Sequence, residues 1–262
     1  MIGKYSKILI GQQRGRKETK MQEKSNQDYW IVDKNLEWYK RQFKNPYRIT
    51  VAFEKFLTEN VNLNNQRILD VGCGAGSALA YIAEKHKDSR FTGIDINTKL
   101  FQLFEEDLDN IKFEKADCFN LSKKYINQFD GVISLQTLSW LPEYQRPLEQ
   151  ICMLNPKWIA ASSLFYDGKI NYTISIENYE RPTSEAEFSQ VNYNICSVPI
   201  IREMLRGYGY IKFCYSPFEI DIDISKPEHS DLGYYTVKTR DDKRLAFNTC
   251  LFQPEGFIFA SK

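Results

Sequence analysis

Histidine is nearly absent from this 262-residue chain, which carries only His86 and His229. The cysteines Cys73, Cys118, Cys152, Cys196, Cys214 and Cys250 are scattered, with no C-x-x-C pair among them. That spacing fits neither a zinc site nor a secreted disulfide framework. Reduced thiols in a cytoplasmic protein are expected instead. No His/Asp/Glu cluster has metal-ligand spacing, so no metal is expected. An excess of charge is missing too: 35 Lys and Arg against 34 Asp and Glu leave +1. Such a chain has no field to steer it to a polyanion, which disfavours a nucleic-acid substrate. No apolar run approaches the roughly 20 residues that span a bilayer. Ile8-Leu9-Ile10 is too short for a signal-peptide core. Internal repeats and low-complexity tracts are absent as well.

What remains is the composition of a packed protein, 42% hydrophobic and 26% charged, with 16 tyrosines. Its length suits one α/β domain with an accessory segment, or at most two small domains. The most informative stretch is Ile68-Leu69-Asp70-Val71 running into Gly72-Cys73-Gly74-Ala75-Gly76. A glycine turn lets backbone approach a ligand, because glycine has no Cβ and tolerates φ > 0. Asp95 ends a second apolar run, Phe91–Ile94, where an acid can accept both hydroxyls of a ribose. The dinucleotide fingerprint G-x-G-x-x-G would need a glycine at position 77, which is Ser77. Asp70, two residues before the first glycine, would also repel a pyrophosphate. A ligand-free glycine turn would leave Asp70 and Asp95 as coincidences.

The wording D-V-G-C-G-A-G resembles the first motif of class I S-adenosylmethionine-dependent methyltransferases. The resemblance implies a Rossmann-like seven-stranded α/β sheet whose last strand inserts antiparallel beside strand six. Alternating strand and helix patterns over residues 46–220 agree with it. Strands are expected at 67–71, 90–96, 111–114, 131–135, 158–164, from 210, and at 256–261. Helices are expected at 46–60, 76–87, 97–108, from Pro147 to Asn155, and 198–207. Residues 1–24 read as a mobile basic tail and 25–60 as a helical lid. The methyltransferase domain would take 61–262, with insertions at about 165–196 and 223–248. The first insertion shows no convincing helical period; the second contains a hairpin, Tyr234–Thr239 with Arg244–Asn248.

The resemblance also distributes roles. Asp70 would orient the turn and answer the ammonium of the methionine moiety. The backbone of Gly72, Cys73 and Gly74 would lie against the methionyl part. Asp95 would hold the ribose, Ile96 would pack on adenine, and Asp117 with the Cys118 N–H would meet the adenine edge. Leu135 and Gln136 end strand four at the carboxyl edge, where open parallel sheets bind ligands. Tyr39 and Arg48, from the preceding segment, are candidates to close over the cofactor, Arg48 through the methionine carboxylate. The Asn/Asp-Pro-Pro-aromatic motif of nucleic-acid amino-methylating members is missing. Ser139 and Trp140 stand where many small-molecule members place a histidine.

His86 lies in a charged helix end and reads as surface. His229 is the sequence's candidate base, beside Glu228 and Asp231; Asp167, Glu177 or an insertion tyrosine are the alternatives. Trp140, Tyr166 and Tyr193 are candidates for acceptor binding in an aromatic-walled pocket. The expected reaction is O-methylation of a small polar acceptor: a sugar, a sugar nucleotide or a phosphorylated precursor of a surface glycan, as in bacterial polysaccharide biosynthesis. N-methylation of a small amine, a non-catalytic cofactor-binding protein and a dehydrogenase are the other readings.

Overall fold

The computed structural model describes residues 33–179, 189–228 and 233–262. Two helices, α1 (Asp33–Lys44) and α2 (Arg48–Asn60), precede the sheet. Then follow β1 (Arg67–Val71), α3 (Ser77–Lys85), β2 (Arg90–Asp95), β3 (Ile111–Lys115), β4 (Gly131–Leu135), α4 (Gln145–Met153) and β5 (Trp158–Tyr166). A hairpin of β6 (Tyr172–Asn178) and β7 (Ser189–Ser197) leads into α5 (Val198–Gly207) and β8 (Lys212–Pro217). The chain ends with β9 (Tyr234–Lys238), β10 (Arg244–Asn248), β11 (Leu251–Phe252) and β12 (Glu255–Ser261).

The main sheet runs β3-β2-β1-β4-β5-β12-β8, and β9–β11 form a small second sheet. The first five strands pair in parallel, and β12 inserts antiparallel between β5 and β8, as the Rossmann-like methyltransferase sheet requires. Each sheet face is buried, so the strands read as near-continuous apolar runs. Ile68, Ile133, Ala160 and Phe257 meet Phe53 and Leu57 of α2 and Leu79 and Ile82 of α3. On the other face Leu69, Val132, Ile159 and Ile258 meet Leu148 and Ile151 of α4 and Ile201 and Leu205 of α5. Full burial of each such side chain contributes about 1.5–3 kcal/mol. The helices start where local chemistry allows. In α5 the Ser197 side chain accepts the Ile200 N–H and Pro199 occupies the first turn.

Two expectations are corrected. Residues 97–108 do not form a full helix; a 3-10 turn spans Thr98–Leu103. Asn97 caps it as expected, accepting from the Lys99 N–H, but Phe101 and Phe104 both pack on Phe113. The acids Glu105, Glu106 and Asp107 follow, where a helix C-terminus disfavours negative charge. Within 165–196, where sequence shows no regular period, lie the end of β5 and the β6–β7 hairpin. His86 is not a surface residue: its side chain is 14% exposed, with Nε2 3.0 Å from Oε1 of buried Glu54. Lys85 donates to the other Glu54 oxygen at 3.0 Å, so the end of α3 is tied to α2. No described helix is long and apolar enough to cross a membrane.

Candidate functional site

The turn from β1 into α3 needs three left-handed glycines: Gly72 at φ 79°, Gly74 at 56° and Gly76 at 84°. Such values are costly for residues with a Cβ. The Gly72 and Cys73 N–H groups donate to the Ile94 carbonyl at 2.8 and 3.1 Å, fastening the turn to the tip of β2. A Cβ at Gly72 would sit 2.4 Å from the Thr137 side chain, whose hydroxyl donates to the Gly72 carbonyl at 3.1 Å. Thr137, named from sequence only as an alternative to His229, thus locks the turn to the end of β4. Gly74 differs: the nearest atom to a Cβ there is Tyr39 Cε1 at 3.6 Å. The outer side of the turn is open except where α1 lays Tyr39 over it.

Two acids flank this opening. Asp70 is 2% exposed, and its Oδ1 has no hydrogen-bond partner. Burial, and then the nearby Asp95 carboxylate, push its carboxyl up to about 8. Asp95 accepts the Gly74 N–H on one oxygen and the Asn97 N–H on the other, each at 2.9 Å. Burial raises its pKa while those N–H groups oppose the rise. The Tyr39 phenol is raised as well, by burial and by Asp95. Burial and the two acids hold the Cys73 thiol well above its ordinary value, which excludes an activated thiolate. Ser77, at the start of α3, donates to Gln42 Oε1 at 3.0 Å, so α1 is docked against the same turn.

The other sequence-derived residues fall into two groups. Ile96 is exposed just beyond Asp95, and Asp117 is exposed after β3, where its Oδ1 accepts the Phe119 N–H at 2.9 Å. Cys118 is half-buried beside it, its thiol raised to about 12 by burial, then by Asp117 and Asp95. Leu135 ends β4, and Gln136 follows in a left-handed conformation at φ 55°. Gln136 donates from its backbone N–H to the Ser162 carbonyl and from Nε2 to Ser162 Oγ, both at 2.8 Å. Arg48 is not drawn into the turn: its side chain is 53% exposed and Nη1 pairs with Asp221 at 3.0 Å.

On the acceptor side, Trp140 is brought together with Tyr193, ring centroids 4.3 Å apart. Tyr193 does not wall an open cleft, as the sequence had suggested. It is 1% exposed, packed with Leu164 and Val191, and its hydroxyl takes a hydrogen bond from Asn248 Nδ2. Both faces of β7 are buried here, and Tyr193 lies on the one that packs on Leu164. Tyr166 is exposed, edge-on to Tyr172 at 5.9 Å. His229 lies outside the described residues. Glu255, at the start of β12, had no signal in the sequence. Its Oε2 accepts the Tyr234 hydroxyl at 2.8 Å, and burial pushes its carboxyl up to about 7. Only the pairing of β12 with β5 could have revealed it.

This arrangement defines a class: an α/β domain binding a nucleoside ligand at the β1 turn and a second ligand at the neighbouring strand tips. A family model described as a methyltransferase domain matches residues 62–194, just over half of the chain. The chain belongs to that family, the class I methyltransferases, whose cofactor is S-adenosylmethionine. Phosphoethanolamine N-methyltransferase 1 of Arabidopsis thaliana is 30% identical over 186 residues, covering 66% of this chain and 35% of that protein. The fatty-acid O-methyltransferase of Mycolicibacterium smegmatis is 23% identical over 160 residues, covering 60% and 56%. The chain spans about a third to three-fifths of the length of the curated relatives it matches. Among solved structures, a DhpI-SAM-HEP complex shares the fold at TM-score 0.57 and 14% identity, covering 92% of this chain and 98% of that one. The residues fit the family's cofactor. A buried carboxylate oxygen with no partner suits an ammonium donor, and the open side of Gly74 leaves backbone free to meet a ligand.

Proposed function

We propose that this chain transfers a methyl group from S-adenosylmethionine to a small polar acceptor held over the carboxyl ends of β4 and β5 and the beginning of β12. The observation that carries the reading is Asp70: a fully buried acid with an orphaned oxygen, beside a glycine turn open on one side. In this reading Asp70 takes the ammonium of the cofactor, and the Gly72-Cys73-Gly74 backbone lines its methionyl part. Asp95 takes the ribose through lone pairs not used by the Gly74 and Asn97 N–H groups. Ile96, Asp117 and Cys118 lie around the adenine, while Leu135 and Gln136 border the reacting end. Tyr39 closes the site from the α1–α2 segment, which acts as a helical lid. Arg48 would reach the cofactor only by leaving Asp221.

The bound cofactor supplies a sulfonium methyl group, and the protein supplies position and exclusion of water. Trp140 and Tyr166 offer aromatic surface with polar edges, which suits a sugar, sugar nucleotide or phosphorylated glycan precursor in the cytoplasm. Transfer to oxygen is therefore the leading reading, with His229 the base proposed from sequence. Transfer to an amine is favoured by a separate observation: Glu255 has no ion pair among the described residues, and a cationic acceptor would supply one. The similar proteins include both N- and O-methyltransferases. Calorimetry should show binding of S-adenosylmethionine and S-adenosylhomocysteine and none of NAD. Methyl-labelled cofactor should pass label to members of a panel of sugars, sugar phosphates and amines. Binding of NAD alone would return the chain to the dehydrogenase reading, and cofactor binding without transfer to any member would favour a non-catalytic protein.

A further inference from the structure

Strand register puts a second acid on the face of the sheet that carries Asp70. Asp70 pairs with Ile133 and Ile133 with Ala160, while Leu135 pairs with Ser162. On β5 the side chains of Ala160, Ser162 and Leu164 share one face, and Leu164 pairs with Glu255. Glu255 therefore stands on the Asp70 face, two strands from Leu135, about 10 Å away at about 4.8 Å per strand. It lies two residues further along the strand direction than Ser162, about 7 Å nearer the carboxyl edge. A continuous set of contacts joins it to the glycine turn. Thr137 touches Gly72, and Trp140 follows in the same short helical turn. Trp140 packs against Tyr193 with the rings tilted, Tyr193 is held by Asn248, and Asn248 pairs across the small sheet with Tyr234. Tyr234 closes the set on Glu255 Oε2. These groups lie beside the tips of β4 and β5.

Among the described residues no cation pairs with Glu255. Its neighbours on the flanking strands are Leu164 and, through the backbone, Phe218, and the titratable group facing it is Tyr234. Tyr234 occupies Oε2, and Oε1 takes no hydrogen bond from a described residue. A half-buried carboxylate with no cation among the described residues, and one oxygen uncommitted to them, is free to meet a ligand. Resting on the reading of the chain as a methyltransferase, we propose that Glu255, oriented by Tyr234, is the catalytic base that takes the proton of the methyl acceptor. As the acceptor's oxygen or nitrogen lone pair forms its bond to the methyl carbon, the carbon–sulfur bond breaks with its electron pair going to sulfur. The proton lost by the acceptor goes to Glu255 Oε1 and then to solvent. The charges balance: a cationic sulfonium and a carboxylate become a neutral thioether and a carboxylic acid.

The test uses full-length protein and the variants Glu255→Gln and Tyr234→Phe. Carboxyl-carbon NMR of glutamate-labelled protein, saturated with S-adenosylhomocysteine, isolates the Glu255 signal as wild type minus Glu255→Gln. That signal should titrate near neutral pH, and Tyr234→Phe should move it further up by removing a donor to the ionised form. With an acceptor found by methyl-label transfer, Glu255→Gln should lower kcat by about 100-fold or more. It should also abolish the acid limb of the pH profile and leave S-adenosylhomocysteine affinity within about twofold. A Glu255 signal titrating in the ordinary carboxylate range would overturn the proposal, as would an intact acid limb in Glu255→Gln. A wild-type protein that binds S-adenosylhomocysteine and transfers no label refutes the methyltransferase reading instead. The titration then still decides whether Glu255 holds a proton near neutrality.

Discussion

Replacing Asp70 with asparagine removes one charge at nearly constant shape, and the outcome depends on how that charge is held. In the folded protein the carboxyl titrates at about 8; its ordinary value is 3.8. Below both values it is protonated in folded and unfolded chains alike and contributes nothing. As pH rises past about 4 the unfolded chain releases a proton that the folded chain retains, so folding becomes progressively less favourable. The loss stops growing above about 8, where both states are ionised. At about 1.4 kcal/mol per unit, the wild type should lose roughly 2–3 kcal/mol relative to Asp70→Asn between about pH 5 and pH 7. Denaturant unfolding without ligand, repeated across that range, measures it: the two stability curves should diverge upward in pH. S-adenosylhomocysteine reverses the logic, because its ammonium favours the ionised carboxylate. Near pH 7 the wild type should release close to one proton per binding event, seen as a dependence of calorimetric enthalpy on buffer ionisation. The variant should release none and bind about 1.5–3 kcal/mol more weakly, the scale of a hydrogen bond to a charged group. Parallel stability curves, or equal proton release by both proteins, would refute the reasoning.

Asp95→Ala removes the acceptor of the Gly74 and Asn97 N–H groups, and calorimetry should show S-adenosylhomocysteine binding weakened by about 1.5–3 kcal/mol in a protein that still folds. Gly74→Val places a β-branched residue at φ 56° on the open side of the turn and should abolish cofactor binding; wild-type affinity would mean that the ligand lies elsewhere. Among the described residues no group of three or more His, Cys, Asp or Glu could hold a metal ion, so activity should persist in excess EDTA, and strict dependence on added magnesium would reveal a site made with other residues. His229→Ala distinguishes the two candidate bases: a fall in kcat of at least about tenfold at constant cofactor affinity supports the histidine, and an unchanged kcat leaves the proton to Glu255.

The cofactor half of the site was legible because its chemistry is local in sequence. Gly72, Gly74 and Gly76 are forced by backbone conformation, and Asp70 and Asp95 sit at strand ends beside them, so the motif resemblance and the spacing together could single them out as candidates. The acceptor half is assembled by pairing between distant segments. Glu255 becomes informative only when β12 is known to insert beside β5, and Tyr234 only when the small sheet folds back onto it. Tyr193 misled for the same reason. A tyrosine in a polar stretch reads as a ligand contact, yet the pairing of β7 with β6 turns its ring inward against Leu164. The contact of Thr137 with Gly72 was not legible, because it fills the space beside a glycine sixty-five residues earlier.

Asp70 and Glu255, two acids without a cation partner among the described residues, occupy comparable places in the sheet. A buried carboxylate is tolerated where a ligand completes it, and a sheet face offers only its carboxyl edge for that purpose. In the proposed reading Asp70 uses the edge at β1, where the glycine turn leaves backbone open to the ammonium end of the cofactor. Glu255 uses it at β12, because an antiparallel insertion brings the beginning of a strand, rather than its end, to the carboxyl edge. A chain entering from the small sheet can then deliver both an acid and the tyrosine that orients it. In a parallel strand the same edge would be reached only after the strand had been paired. The reversed last strand is therefore what lets the C-terminal segment contribute chemistry to a site whose other half was built two hundred residues earlier.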